Sequence, residues 1–210
     1  IIDKAFIIIK NKIKYLLQIF YLNFFLNTSN NIGIVLNVEI YENLVDVDFN
    51  KQNDLIVSVY KLCLEKNLNL LIRRKPNWSN FYLLKEKLSK NFLKNELRNI
   101  ILLEDSFDIN NFFKNVRINI FFQGSTAIYE SIKRGTPCVQ LIDTKLLLMN
   151  EQYVDFPDSV VPKLSISEIR NIISDKEHIK KLLEKQLQFI KNEEQADVKK
   201  ISSLSDLKIG

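Results

Sequence analysis

Histidine occurs once in these 210 residues, cysteine twice, and methionine and tryptophan once each. With His178 alone in a charged helical stretch, neither a histidine-based metal site nor a histidine-dependent triad has the residues it needs. Cys63 and Cys138 stand in apolar surroundings without metal-ligand spacing, and read as buried free thiols of a reducing compartment. Four glycines leave no glycine-rich P-loop and no dinucleotide fingerprint. Long uncharged runs are also missing. Lys4, Lys10, Lys12 and Lys14 interrupt the apolar stretches of residues 1–26, so no transmembrane span is expected there. No small-residue cleavage site follows, which argues against a signal peptide. The same lysines spread around a helix instead of lining one face, so a clean interfacial helix is not expected either.

What remains is ordinary for a globular chain, with 46% hydrophobic and 26% charged residues. The formal charge of +5 favours weak contact with phosphates or anionic surfaces. Its lysines, however, are scattered among Asn, Ile and Phe, a mixture that reads as the codon bias of an AT-rich genome. No nucleic-acid partner is expected. The sequence opens on Ile1, which reads as a piece of a longer product. We expect residues 1–30 to be a remnant of an N-terminal domain or an interdomain helix. Residues 31–192 would form one Rossmann-like domain, and 193–210 a polar tail that frays.

Beyond the polar break at 27–31, apolar runs alternate with helical patterns. Strands are expected at 32–38, 68–73, 99–103, 117–122 and 137–142. Helices are expected near 51–66, 78–97, 109–115 and 125–134. That alternation calls for an α/β fold, a three-layer parallel sheet with helices on both faces. After residue 143 the pattern is helical. Ser165-x-x-Glu168 and Ser174-x-x-Glu177 both read as capping boxes, opening C-terminal helices at 166–173 and 175–192.

In an open parallel sheet, ligands bind beyond the carboxyl ends of the strands. Three segments fall on that edge: 73–76, 104–108 and 123–126. The run from Phe121 through Gly124, Ser125, Thr126 and Glu130 is the most telling. An apolar strand meets a Gly-Ser-Thr turn and a helix, and a Gly-x-Pro turn at 135–137 opens the next strand. Amides at the start of such a helix stabilise a phosphate through unpaired donors and the helix dipole. Advancing ~100° per residue places Thr126, Glu130 and Lys133 on one polar stripe. Ala127, Ile128, Ser131 and Ile132 fall on the opposite side, toward the sheet. The turn amides with Ser125 and Thr126 suit a diphosphate. Glu130, about 6 Å further along, suits ribose hydroxyls, or is simply a solvated side chain on a capped helix.

Arg73, Arg74 and Lys75 end a strand and are stopped by Pro76. Like charges so close repel unless an anion sits among them, either a ligand phosphate or a neighbouring carboxylate. Trp78 beyond them suits either stacking on a base or packing. Asp105 or Ser106 reads first as an N-cap for the helix behind it. Asp155 and Asp158, flanking Pro157, read as turn chemistry.

The run 108–141, with Ser125, Thr126, Glu130, Gly135, Pro137 and Val139, resembles the C-terminal half of a GT-B glycosyltransferase. More narrowly it resembles the capsule and surface-polysaccharide enzymes and the related sugar-nucleotide 2-epimerases. The Arg74-Lys75-Pro76 segment is similar to their basic-Pro motif, although Asn77 stands where that motif often has His. The resemblance covers residues 30–189 and implies a donor-binding domain. It implies Arg74, Lys75, Gly124, Ser125, Thr126 and Glu130 as substrate-binding residues, with Ser125 and Thr126 on phosphate and Glu130 on ribose. It names no catalytic base, which in that fold usually belongs to the other domain. It implies no cofactor and no bound metal, only a nucleotide-sugar as donor substrate.

Its implied partners are the nucleotide-sugar, a glycan or lipid-linked acceptor and the missing N-terminal domain. The expected location is cytoplasmic, with the periphery of the inner membrane face as a further reading. The sequence also leaves open an epimerase of the same architecture, or a non-catalytic nucleotide-binding module.

Overall fold

Five short runs of mainly apolar residues pair into one parallel sheet among the described residues, and their burial explains why they read as continuous rather than alternating hydrophobic segments. A computed structural model of the chain describes residues 30–36, 49–74, 81–103, 106–122, 125–141 and 156–205. Its elements are β1 (Asn31–Val35), α1 (Phe49–Glu65), β2 (Asn69–Arg73), α2 (Phe81–Asn91) and β3 (Ile100–Leu103). They continue with α3 (Ile109–Lys114), β4 (Ile118–Phe121), α4 (Thr126–Lys133) and β5 (Cys138–Leu141). The order ends with β6 (Lys163–Leu164), α5 (Ile166–Ile172) and α6 (Lys176–Ser205).

The strand order is β3-β2-β1-β4-β5-β6, and every neighbouring pair is parallel. This is the α/β, Rossmann-like three-layer architecture expected from the alternating pattern. The chain builds outward from β1 to β3, then returns to the other side of β1 to add β4, β5 and β6. The order therefore reverses between β1 and β4. Just outside their carboxyl ends lies the crevice where such sheets hold ligands.

Two apolar layers cover the sheet. On one face, Ile32, Ile34, Leu70, Ile72, Ile120 and Val139 pack against α1, α2, α5 and the start of α6. On the other, Val35, Leu71, Phe121 and Cys138 meet Phe112 and Phe113 of α3, Ala127, Ile128 and Ile132 of α4, and Ile190 of α6. At the amino edge of the sheet, asparagines satisfy one another, with Asn31 and Asn115 buried and Asn69 half-buried. The Asn69 amide donates to Asn31 Oδ1 at 2.9 Å, and the Asn31 amide donates to the Asn115 carbonyl at 2.8 Å.

Several local expectations are corrected. The cap of α3 is Asp108, whose carboxylate accepts from the Asn110 amide at 3.1 Å, not Asp105 or Ser106. The expected helix at 78–97 is α2 followed by a separate 3-10 turn, Glu96–Asn99, where the Glu96 carboxylate takes the Leu93 amide at 2.7 Å. The capping box at Ser165 and Glu168 forms as expected. The second one does not: α6 starts one residue later, with Asp175 accepting from the His178 amide at 2.9 Å. Aspartate caps as well as serine, so the better-placed of two adjacent candidates decides the start. Helix α6 runs to Ser205 instead of ending near 192. A sixth strand, β6, was not expected, because two residues carry no periodicity and owe their form to pairing with β5. The segment 1–29 lies outside the described residues.

Candidate functional site

Helix α4 begins directly behind β4, at the carboxyl edge of the strand that borders the β1–β4 crevice. Ser125 stands ahead of it in extended conformation, with φ −159° and ψ 143°. Its hydroxyl oxygen accepts from the Ala127 amide at 3.2 Å, and its carbonyl accepts from the Ile128 amide at 3.0 Å. Ser125 is thus a buried N-cap whose hydroxyl proton is still there to donate. Thr126 follows at the exposed mouth of the helix.

Ala127, Ile128, Ser131 and Ile132 are the buried residues of α4, the face assigned to the sheet by helical spacing. Thr126, Glu130 and Lys133 lie exposed on the remaining stripe. Lys133 is held by α6, 2.6 Å from the Glu194 carboxylate and 4.7 Å over the Tyr129 ring. The Tyr129 hydroxyl donates to Glu194 at 2.8 Å. Hydrogen bonding to Lys133, then to Tyr129, holds the Glu194 carboxyl below its usual range.

The orientation of α4 is set from below by a polar chain that sequence reasoning did not identify. The Asn119 amide of β4 donates to Ser131 Oγ at 2.7 Å, and that hydroxyl donates to the Thr136 carbonyl at 2.9 Å. The Thr136 hydroxyl then donates to the Phe113 carbonyl at 2.7 Å. All three side chains are buried, so the chain ties β4, α4 and the end of α3 together where no water competes. An asparagine inside the apolar run 118–122 was the available signal. Gly33 of β1 makes room for it: a Cβ there would meet Asn119 Oδ1 at 2.0 Å.

The basic segment divides. The Arg73 guanidinium donates to the Phe107 carbonyl at 2.9 Å and to the Arg74 carbonyl at 3.4 Å, pinning the loop after β3. Its guanidinium thus bridges the segments after β2 and β3 through these two backbone carbonyls. Arg74 lies half-buried just past β2, its amide bonded to the Leu103 carbonyl at 3.0 Å. It shares the carboxyl edge with α4, but β1 stands between β2 and β4, a separation of about 10 Å at the usual strand spacing. Ser125, Thr126 and Glu130 are brought together on α4, and Arg74 stands apart from them. Lys75, Trp78, Glu104, Asp105, Gln123 and Gly124 lie outside the described residues.

Both thiols are free and buried, and burial pushes each up to about 12. That makes them poor nucleophiles at neutral pH. Among the described residues no three or more His, Cys, Asp or Glu side chains gather as a metal site. Among the same residues, no helix is long and apolar enough to cross a membrane. A groove of about 330 Å³ between α1 and α2 lies on the face of the sheet opposite α4. Its Lys87 and Lys90 pair with Asp54 and Glu86 at 2.6 Å each.

No family model matches the sequence, and no curated protein matches it. Its fold, in contrast, is found among solved structures. A mutant of TarM from S. aureus, in complex with Fondaparinux, alpha-GlcNAc-glycerol and UDP, is similar over 77% of this chain at TM-score 0.54 and 12% identity. A UDP-glucosyltransferase from Polygonum tinctorium that glucosylates indoxyl is similar over 80% at TM-score 0.44 and 11% identity. Os79 from O. sativa, in complex with UDP, is similar over 78% at TM-score 0.42 and 9% identity. The chain spans 32%, 37% and 39% of the lengths of these structures, respectively. At such identities the likeness is one of fold, and the first of the three carries it.

Proposed function

We propose that this chain is the donor-binding half of a GT-B-type glycosyltransferase. The observation that carries this reading is the place of α4: its capped, exposed start lies at the carboxyl edge beside the point where strand order reverses. A diphosphate there meets the Ser125 hydroxyl, the Thr126 amide and hydroxyl, and the positive end of the helix dipole. Glu130, exposed one turn further on the same stripe, accepts hydrogen bonds from ribose hydroxyls. Arg74 supplies positive charge across the crevice, and Lys75 is the second cation of the reading. Support comes from the fold shared with a protein whose structure holds UDP.

The reaction is displacement at the anomeric carbon of a nucleotide-sugar, with the nucleotide diphosphate, or the monophosphate in the case of an acidic sugar, as leaving group. The contribution of this half is electrostatic, through helix-end donors and cations that stabilise charge growing on the departing phosphate. The acceptor, a glycan or lipid-linked saccharide of a surface polysaccharide, and the base that activates it belong to a domain beyond this chain. We place the reaction in the cytoplasm.

Titration calorimetry of the full chain with UDP, GDP and CMP tests the reading. One of the three is expected to bind, and folded protein that binds none of them sinks it. Turnover of a nucleotide-sugar without any acceptor would instead assign the fold to an epimerase.

A further inference from the structure

Gln140 is the one polar side chain of β5, and it is buried at 5% exposure. Its Oε1 has no hydrogen-bond partner. An orphaned buried amide oxygen is costly, and where one persists beside a ligand crevice a ligand donor is the natural partner. Its position can be placed from measured contacts. Cys138, two residues earlier on the strand, has its Sγ 3.8 Å from the Ile128 carbonyl of α4. Side chains alternate along a strand, so Gln140 faces α4 as well. Its register partner Phe121 belongs to that same apolar layer, whereas Val139 and Leu141 belong to the opposite one.

Two residues along a strand advance about 6.6 Å toward the carboxyl edge. Helix α4 runs the other way and covers that distance in about four residues. Counting back about four residues from Ile128 passes the Ser125 cap, which puts Gln140 level with the start of the helix. The Gln140 amide therefore lies beneath the first turn of α4, on the sheet side, while Glu130 lies on the exposed side of the same helix.

We infer that Gln140 reads the transferred sugar of the bound nucleotide-sugar, its Oε1 accepting a hydrogen bond from a sugar hydroxyl. The inference rests on the reading of α4 as the diphosphate site. A phosphate oxygen carries no proton to give, so the diphosphate itself does not satisfy Oε1. With the ribose on the Glu130 side and the diphosphate at the helix end, the group left for the sheet side is the sugar. Its hydroxyls are the donors that a buried amide oxygen requires, and a site built to bond one rejects a ligand that lacks it. Gln140 is thus a specificity-determining residue.

The experiment compares wild type with Gln140→Met, which keeps the volume and removes the amide. Calorimetry reads UDP against UDP-glucose and UDP-N-acetylglucosamine, or GDP and CMP against their sugar conjugates if those bind instead. The expected result is an unchanged Kd for the free nucleotide and a loss of about five- to ten-fold for the sugar conjugate, the scale of one hydrogen bond. Equal effects on both ligands, or none on either, overturn the inference while leaving the function standing. Thermal unfolding gives an independent reading. Removing an oxygen that no protein group holds leaves Tm unchanged or higher. A fall of about 3 °C or more shows that the protein holds the amide, and overturns the inference without any ligand. If wild-type protein binds no nucleotide, the proposed function falls and this inference falls with it.

Discussion

Replacing Glu130 by alanine removes the carboxylate that stands one turn beyond Thr126 on the exposed stripe of α4. We expect nucleotide affinity to weaken by about 1–3 kcal/mol, the range of a hydrogen bond to a charged group. An unchanged Kd in calorimetry takes Glu130 out of the site. Asn119 makes the opposite kind of case, since it sits inside the fold. Asn119→Ala leaves the buried Ser131 hydroxyl without its donor, at a cost of about 1–3 kcal/mol read by urea denaturation. The residue alphabet made Glu130 a candidate at once, because a carboxylate four positions after a helix-opening threonine lies on its face. Asn119 stayed hidden. Its role depends on Ser131 and Thr136, which sequence places 12 and 17 positions away and only the packed α4 brings beneath it. Arg73 stayed ambiguous for a related reason: a cation at a strand end suits a ligand anion or a partner within the fold, and only the structure shows the Phe107 carbonyl 2.9 Å from its guanidinium.

At the scale of elements, the sheet depends on two close approaches. Gly33 of β1 lies against Asn119 of β4, so Gly33→Ala drives a methyl into an amide already locked to Ser131. Overpacking of this kind costs about 1–3 kcal/mol. In the Asn119→Ala background the same substitution is expected to cost less, and a double-mutant cycle measures the difference. Additive effects would show that the two side chains do not oppose each other.

The second approach is Gln186 of α6, which is fully buried. Its Oε1 accepts from the Cys138 amide at 3.0 Å, and its Nε2 donates to the carbonyls of Cys138 and Val160 at 2.7 and 2.9 Å. One side chain thus stands in for a neighbouring strand at the start of β5, before β6 begins. Gln186→Leu leaves three backbone groups buried and unpaired, at about 1–3 kcal/mol each. It should be the most destabilising of these variants in a thermal melt, and a Tm within a degree or so of wild type would show that water reaches the edge. Nothing in the amphipathic pattern of α6 marks this glutamine, since a polar residue on a long charged helix reads as solvated.

For the molecule as a whole, pH provides a test of burial. Cys63 and Cys138 are pushed up to about 12 from 9.0, chiefly by burial, and Tyr60 to about 12 from 10.0 for the same reason. The native state therefore keeps protons that the unfolded chain releases. Their contribution is fully present below about pH 9 and is lost as pH rises toward about 12. Urea midpoints should fall between neutral and alkaline buffer, and both thiols should resist a disulfide-exchange reagent until the protein unfolds. Rapid native labelling would contradict the packing of both cores.

Taken alone, the amino-acid order determined the alternation of strands and helices, the parallel sheet and the inward face of α4. Those follow from local periodicity and burial, which neighbouring residues carry by themselves. Tertiary structure alone decided the strand order, the sixth strand, the choice of Asp108 and Asp175 as caps, and the partners of Asn119, Arg73 and Gln186. The caps are choices between neighbouring residues that the packed helix settles; the others pair groups distant in sequence, and those pairings leave fewer buried polar atoms unmet.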